Sequence, residues 1–140
     1  MTKKIKVLTI DDEADFCYFV KKNLMQDGLF DVSIATDCRH GIEVAKNERP
    51  DIILLDLVMP DMPGEDVAAV LKEDAATATI PILYITALAT DDDIGENEEK
   101  MIGNNYILPK PVRTKTLIKT IMNILKKTGP SYVGPETTVK

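Results

Sequence analysis

The chain has 140 residues, 44% hydrophobic and 29% charged, with 17 Lys and Arg against 23 Asp and Glu. That length suits one domain burying roughly two-thirds of the surface its unfolded form exposes, and the composition is that of a globular protein rather than a disordered or fibrous one. A net charge of -6 argues against direct DNA or RNA binding by this chain, since such binding draws mostly on phosphate neutralisation by Lys and Arg.

No apolar run approaches the roughly 18 residues of a membrane span. Met1-Thr2-Lys3-Lys4 leads straight into a strand without a signal-peptide core, so a cytoplasmic location is expected. Cys17 and Cys38 lie on separate predicted helices with no CxxC or Cys/His spacing. They read as reduced thiols rather than zinc ligands or a disulfide.

In chain order, Lys4 to Ile10 alternates and then runs apolar, which predicts a first strand stopping at Asp11-Asp12-Glu13. A first helix is predicted over Ala14 to Asp27 and closed by Gly28, with Phe16, Phe19, Val20 and Leu24 as its core stripe and Tyr18 and Met25 toward solvent. Phe30 to Ala35 is the second strand. Thr36 or Asp37 caps a second helix that runs to about Asn47 and carries the sole histidine, His40, and Arg49-Pro50 ends it. Ile52 to Leu55 is a four-residue aliphatic run that reads as a central strand buried on both faces. A lone carboxylate is costly inside such a core, so Asp56 is expected where the strand emerges, before the turn from Pro60 to Gly64.

Gly64 to Lys72 is a short third helix and Ile80 to Thr86 a fourth strand. Thr90 to Ile102 is acid-rich, with Gly95 inside it and only Ile94, Met101 and Ile102 for a core face, which predicts a weakly held fourth helix. Tyr106 to Leu108 forms a fifth strand ending at Pro109-Lys110-Pro111, and proline there suits a sheet edge. Thr114 to Lys127 has the cleanest helical period, with Leu117, Ile118, Ile121, Ile124 and Leu125 on one face. The expected domain spans residues 1–127, and residues 128–140, with two glycines and two prolines and no period, form a flexible tail or linker remnant.

Alternating strands and helices imply an α/β fold, a doubly wound five-stranded parallel sheet of order 2-1-3-4-5 with five helices. The first, third, fourth and fifth strands then end in Asp11-Asp12, Asp56, Thr86 and Lys110 at adjacent positions about 4.8 Å apart, where open α/β sheets hold their ligands. Three carboxylates so placed repel one another unless a cation sits among them. Oxygen-only ligands with room for water and a phosphate oxygen suit Mg²⁺ better than a full calcium cage. A carboxylate beside Mg²⁺ is a nucleophile toward a phosphoryl group, with Lys110 and the Thr86 hydroxyl stabilising its oxygens.

Ile10-Asp11-Asp12-Glu13, Leu55-Asp56-Leu57-Val58-Met59-Pro60 with Gly64, Ile85-Thr86-Ala87, and Tyr106 followed by Lys110-Pro111 together resemble the receiver domains of response regulators in two-component phosphorelays, over Lys4 to about Lys127. The resemblance implies that Asp56 accepts a phosphoryl group from a histidine kinase or histidine phosphotransfer protein. It implies that Asp11 and Asp12 bind Mg²⁺ with Asp56 and the Val58 carbonyl, that the Ala87 N–H helps Thr86 and Lys110 hold the phosphoryl group, and that the Lys110-Pro111 peptide is cis. It further implies that Thr86 and Tyr106 move together and reshape the face of the fourth helix, fifth strand and fifth helix for a downstream partner or effector domain.

Val112 departs from the family pattern, standing where an aromatic often follows the Lys-Pro pair. Val58 and Leu88, two positions after Asp56 and Thr86, are both apolar and cannot orient an attacking water, which predicts a long-lived acyl phosphate. Arg113, Lys115 and Lys119 on the last helix, beside the acidic fourth, permit a weak homodimer.

The main alternative is an Mg-dependent aspartate-nucleophile phosphatase of the haloacid type, but its second acid two residues on is Val58 here. A flavodoxin-like cofactor binder would want a Gly- or Ser-rich loop after the first strand, where Asp11-Asp12-Glu13 stands. A phosphorylation-independent interaction module would lack the acceptor, and Asp56 is present. No output module follows the receiver segment, so either a stand-alone signalling domain or a piece of a longer regulator is expected.

Overall fold

Ile52, Ile53, Leu54 and Leu55 are all buried and form the central strand β3 (Ile52–Leu55) of the computed structural model, which describes residues 3–87, 100–102 and 105–128. Their alternation sends Ile52 and Leu54 to one face of the sheet and Ile53 and Leu55 to the other. β3 pairs in parallel with β1 (Ile5–Ile10) on one side and β4 (Ile82–Thr86) on the other. β2 (Phe30–Ala35) lies outside β1, and β6 (Asn105–Pro109) lies outside β4, both parallel to their neighbours. These five parallel strands follow the order 2-1-3-4-5 in their own sequence.

One helical layer holds α1 (Ala14–Leu24) and α4 (Thr114–Thr128), whose Val20, Leu24, Leu117, Ile121 and Ile124 pack on Ile5, Val7, Ile52 and Leu54. The opposite layer holds α2 (Cys38–Glu48) and α3 (Gly64–Lys72), with Ala45, Val67 and Leu71 on Leu8, Ile10, Ile53 and Leu55. Burying each large aliphatic side chain contributes roughly 1.5–3 kcal/mol, so the four fully buried positions Leu117, Ile121, Ile124 and Leu125 anchor α4. Val112 joins the same core at 7% exposure, filling with an aliphatic group the place of the aromatic. Among the described residues no helix is long and apolar enough to cross a membrane.

The helix ends follow local chemistry. Asp37 caps α2 by accepting the His40 N–H at 2.8 Å. Arg49 closes α2 at φ 48, with its N–H on the Ala45 carbonyl at 2.9 Å, directly before Pro50. A 3-10 turn over Met25–Asp27 extends α1 to Gly28, whose φ of 78 suits a residue without Cβ.

Three expectations are corrected. On α1 the buried residues are Cys17, Val20 and Leu24, whereas Phe19 is 42% exposed and Met25 packs partly against the core. At about 100° per residue Cys17, Leu24 and Val20 fall within one narrow arc, and Phe19 and Tyr18 lie well outside it on either side.

Second, the stretch read as a fourth helix ends in a strand, β5 (Lys100–Ile102), antiparallel to β6; residues 90–99 lie outside the described ones. Pairing satisfies backbone groups along the flank of β6, a tertiary gain that a helical reading of Met101 and Ile102 does not see.

Third, β6 is therefore not an edge, and the sheet order is β2-β1-β3-β4-β6-β5. Among the described residues β5 pairs with β6 only over Asn105, Tyr106 and Ile107, so Pro109, which has no N–H to offer, lies beyond that pairing. Among the described residues there are four α-helices. The last of them runs one residue further than expected, to Thr128, and the expected tail beyond it lies outside the described residues.

Candidate functional site

β1, β3, β4 and β6 are parallel neighbours, so the residues that follow them leave the sheet at one edge. Asp11 and Asp12 follow β1, Asp56 follows β3, Thr86 ends β4 with Ala87 after it, and Lys110 follows β6. Asp11, Asp12 and Asp56 each offer a carboxylate oxygen within 4.8 Å of the others. Asp11 is 1% and Asp56 7% exposed, while Asp12 faces solvent.

Lys110 spans the group. Its Nζ lies 2.7 Å from Asp11 Oδ2, 2.6 Å from Glu13 Oε1 and 3.3 Å from Asp56 Oδ2, with the Phe16 ring centroid 4.6 Å away. The second oxygens accept backbone N–H groups, Asp11 Oδ1 that of Glu13 at 2.9 Å and Asp56 Oδ1 that of Val58 at 3.3 Å. Burial pushes the Asp11 carboxyl above the usual carboxylate range, and its hydrogen bond to Lys110 pulls it only partly back. For Lys110 burial opposes the charged form, but hydrogen bonds to Asp11 and Glu13 and the charges of Asp11 and Asp56 outweigh it, so its pKa is raised. One ammonium thus contacts three acids, with Asp12 a further carboxylate beside them, and the crevice keeps an excess of negative charge. An all-oxygen donor set with that excess fits a hard divalent cation.

Thr86 is buried opposite Pro109, and its carbonyl accepts the Lys110 N–H at 3.1 Å. Ala87 follows it and is exposed. The Lys110-Pro111 peptide is cis. Tyr106 is not part of the acidic group: it pairs with Leu83, three strand positions before Thr86, or about 10 Å back along the sheet. Its half-buried ring rests on the core shared by α1 and α4, with Lys127 Nζ 5.8 Å from the ring centroid. Val58 is 55% exposed at the mouth of the crevice.

The response regulator receiver domain model matches residues 7–122 of this chain. The chain belongs to that family. This receiver is 32% identical to protein PilH of Pseudomonas aeruginosa over 86% of its own length and 97% of the relative's. It is 30% identical to the phosphate regulon transcriptional regulatory protein PhoB of the same organism and 32% identical to the DNA-binding dual master transcriptional regulator RpaA of Synechocystis, spanning 53% and 50% of those two proteins. Among solved structures, the chemotaxis protein CheY4 of Vibrio cholerae superposes with a TM-score of 0.74 at 29% identity, covering 88% of this chain and all of that one.

Two side chains of the receiver site escape a reading of the sequence. Glu13 looks like one more acid at a strand end, yet it holds the lysine, and Phe16 looks like core, yet it forms one wall against the ammonium. Only the folded sheet, in which the Lys110 side chain reaches from the end of β6 across the edge of β4 and β3 to the start of α1, brings it to them.

In the receiver without divalent cation, Lys110→Met should cost about 3 kcal/mol of stability, the lower end for a broken buried pair because Glu13 is open to water. The Asp11 carboxyl, already raised, then rises further. A carboxyl raised on folding makes the folded state take up protons more readily, so the loss should shrink as pH falls from the variant's higher Asp11 value to the wild type's and level off below it. Urea denaturation of both proteins across that range measures it, and a pH-independent difference would mean that lost packing dominates.

Proposed function

We propose that this receiver is a phosphoacceptor switch in which Asp56 takes a phosphoryl group from the phosphohistidine of a histidine kinase or phosphotransfer protein. The carrying observation is the meeting of three strand-end carboxylates with the Lys110 ammonium across two of them. Asp11, Asp12, Asp56 and the Val58 carbonyl are the groups that would hold Mg²⁺. When bound, the ion supplies a Lewis acid for the phosphoryl oxygens.

The chain's own residues do the rest. An Asp56 oxygen forms the new O–P bond as the donor's P–N bond breaks, and the bonding pair returns to the imidazole nitrogen. Lys110 stays fully charged through its acid partners and balances the charge of the transferring group, while the Thr86 hydroxyl and the Ala87 N–H donate to its oxygens. The phosphoryl group adds roughly -1.5 to -2 charges and three acceptors. Drawing Thr86 toward it frees space beside β4 into which the Tyr106 ring turns, altering the partner-facing surface of β6 and α4.

Arg113, Lys115 and Lys119 are exposed on or beside α4 and offer that surface a basic character for a downstream partner or a second copy. The acidic stretch 91–99 that would pair with them lies outside the described residues. The domain signals by changing state and turns over no separate substrate.

The test is intact-mass analysis after incubation with a small phosphodonor and Mg²⁺. Gain of one phosphate by the wild type, lost on chelation, supports the reading, and no gain overturns it. The lifetime is a separate matter. Val58 offers no hydrogen bond to an attacking water, and Leu88 lies outside the described residues. Val58→Asn should shorten the phosphorylated state about fivefold, the equivalent of one orienting hydrogen bond of about 1 kcal/mol. Unchanged decay would show that this position does not control water.

A further inference from the structure

Asp56 and the Val58 carbonyl open a loop that runs to Pro63 before α3 begins. At its far end the Gly64 N–H donates to the Leu57 carbonyl at 2.8 Å. Its middle is held from outside, by α2. The first N–H of that helix, on Cys38, donates to Asp61 Oδ2 at 2.9 Å. The Cys38 thiol turns to the same loop, donating to the Met62 carbonyl at 3.4 Å and lying 3.8 Å from Met59 Sδ.

The helix has its own cap, since Asp37 already accepts the His40 N–H. Asp61 therefore supplies a second carboxylate to one helix start, from a segment 23 positions away in sequence. Free N–H groups and the positive end of the helix dipole make that start a firm attachment for a carboxylate, and the Cys38 backbone hydrogen bond holds the Asp61 carboxyl below the usual range, so it stays ionised.

We propose that Asp61 is a positioning residue, whose carboxylate pins the phosphoacceptor loop to the N-terminus of α2 and so presets the Asp56 carboxylate and the Val58 carbonyl. This rests on the phosphoacceptor reading above. Without the pin, Met59 to Met62 lift from Cys38, the loop samples many arrangements, and each ligand-binding event has to reorder it.

Both thiols are buried, and burial, reinforced at Cys38 by the hydrogen bond and charge of the Asp61 carboxylate, pushes each up to about 12, so folded wild type alkylates slowly at both. Cys17, on α1 across the sheet, reports general opening, and Cys38 reports the loop. Full-length wild type, Asp61→Ala, Asp61→Asn and Asp37→Ala are compared by iodoacetamide labelling of each cysteine without metal, by thermal melting, and by calorimetric titration with Mg²⁺ alone. Asp61→Ala should speed Cys38 labelling about fivefold, the factor set by losing one capping bond, leave Cys17 unchanged, and weaken Mg²⁺ binding severalfold. Asp61→Asn, which keeps an acceptor without the charge, should restore most of both. Asp37→Ala should lower the melting temperature comparably and leave Mg²⁺ affinity unchanged.

Equal acceleration at both cysteines, unchanged Mg²⁺ affinity in Asp61→Ala, or equal weakening in Asp37→Ala would each overturn the assignment. If wild type itself binds no Mg²⁺, the phosphoacceptor reading falls, and Cys38 labelling decides whether Asp61 pins the loop: acceleration in Asp61→Ala that Asp61→Asn restores supports the pin, whereas equal acceleration in both, as loss of the carboxylate charge beside the thiol alone would give, overturns it.

Discussion

Asp56→Asn is expected to abolish phosphoryl uptake and to leave the metal-free protein about 1 kcal/mol more stable than wild type. The first effect is chemical. An amide oxygen has neither the charge nor the lone-pair basicity of a carboxylate, and neither Asp11 nor Asp12 takes over: Asp11 spends both oxygens on Lys110 and the Glu13 N–H. The second effect is electrostatic. Asp56 stands within 4.8 Å of two other carboxylates, and Lys110 prefers its shorter contacts to Asp11 and Glu13 over the one at 3.3 Å to Asp56. Removing that charge relieves repulsion and leaves the lysine paired, the usual trade of stability for reactivity at a functional site. Intact mass reads the first effect and urea unfolding without divalent cation reads the second. Phosphate on the variant would mean another acceptor, and lower stability would mean that Lys110 needs all three partners.

Gly64→Ala should cost about 3 kcal/mol or more and impair cation binding along with the fold, in the range of severe overpacking. An added Cβ falls onto the Asp56 carbonyl oxygen and lies 2.8 Å from Leu57 Cα and 3.0 Å from the Asp56 carbonyl carbon. These are backbone atoms, so no rotamer change relieves the overlap. Either α3 moves off, losing the Gly64 N–H bond to Leu57 and the packing of Val67 and Leu71, or the backbone that carries Asp56 shifts. Both routes degrade the site. Gly41 makes the contrast: its added Cβ meets side-chain atoms of Ile10 at 2.7, 2.9 and 3.0 Å, and only those must give. Chemical denaturation and Mg²⁺ titration of both alanine variants should show the larger loss in both quantities for Gly64. Equal losses would indicate that backbone at Asp56 yields as readily as an isoleucine.

How legible the protein is from its residues varies with the range of the interaction involved. The buried run from Ile52 to Leu55, the alternation in Phe30 to Ala35 and the helical period from Thr114 onward depend on near neighbours, and each element appears within a residue or two of where those patterns put it. In α1 the small Cys17 is buried and the large Phe19 is exposed, so apolar bulk alone points the helix too far toward its flank. β5 was hidden because its three residues are strand only by virtue of pairing with β6.

The residue types Asp11, Asp12, Asp56, Thr86 and Lys110, and the order of strands that gathers them, are present in the linear chain, because strand ends and handed crossovers leave few alternatives. Which atoms meet is another matter. That Lys110 rests on Glu13, that Phe16 walls it in, and that Asp61 reaches across to the start of α2 are contacts between segments up to 97 positions apart. Contacts at such separation are set by the angles at which helices pack and loops close, quantities no local pattern of side chains encodes.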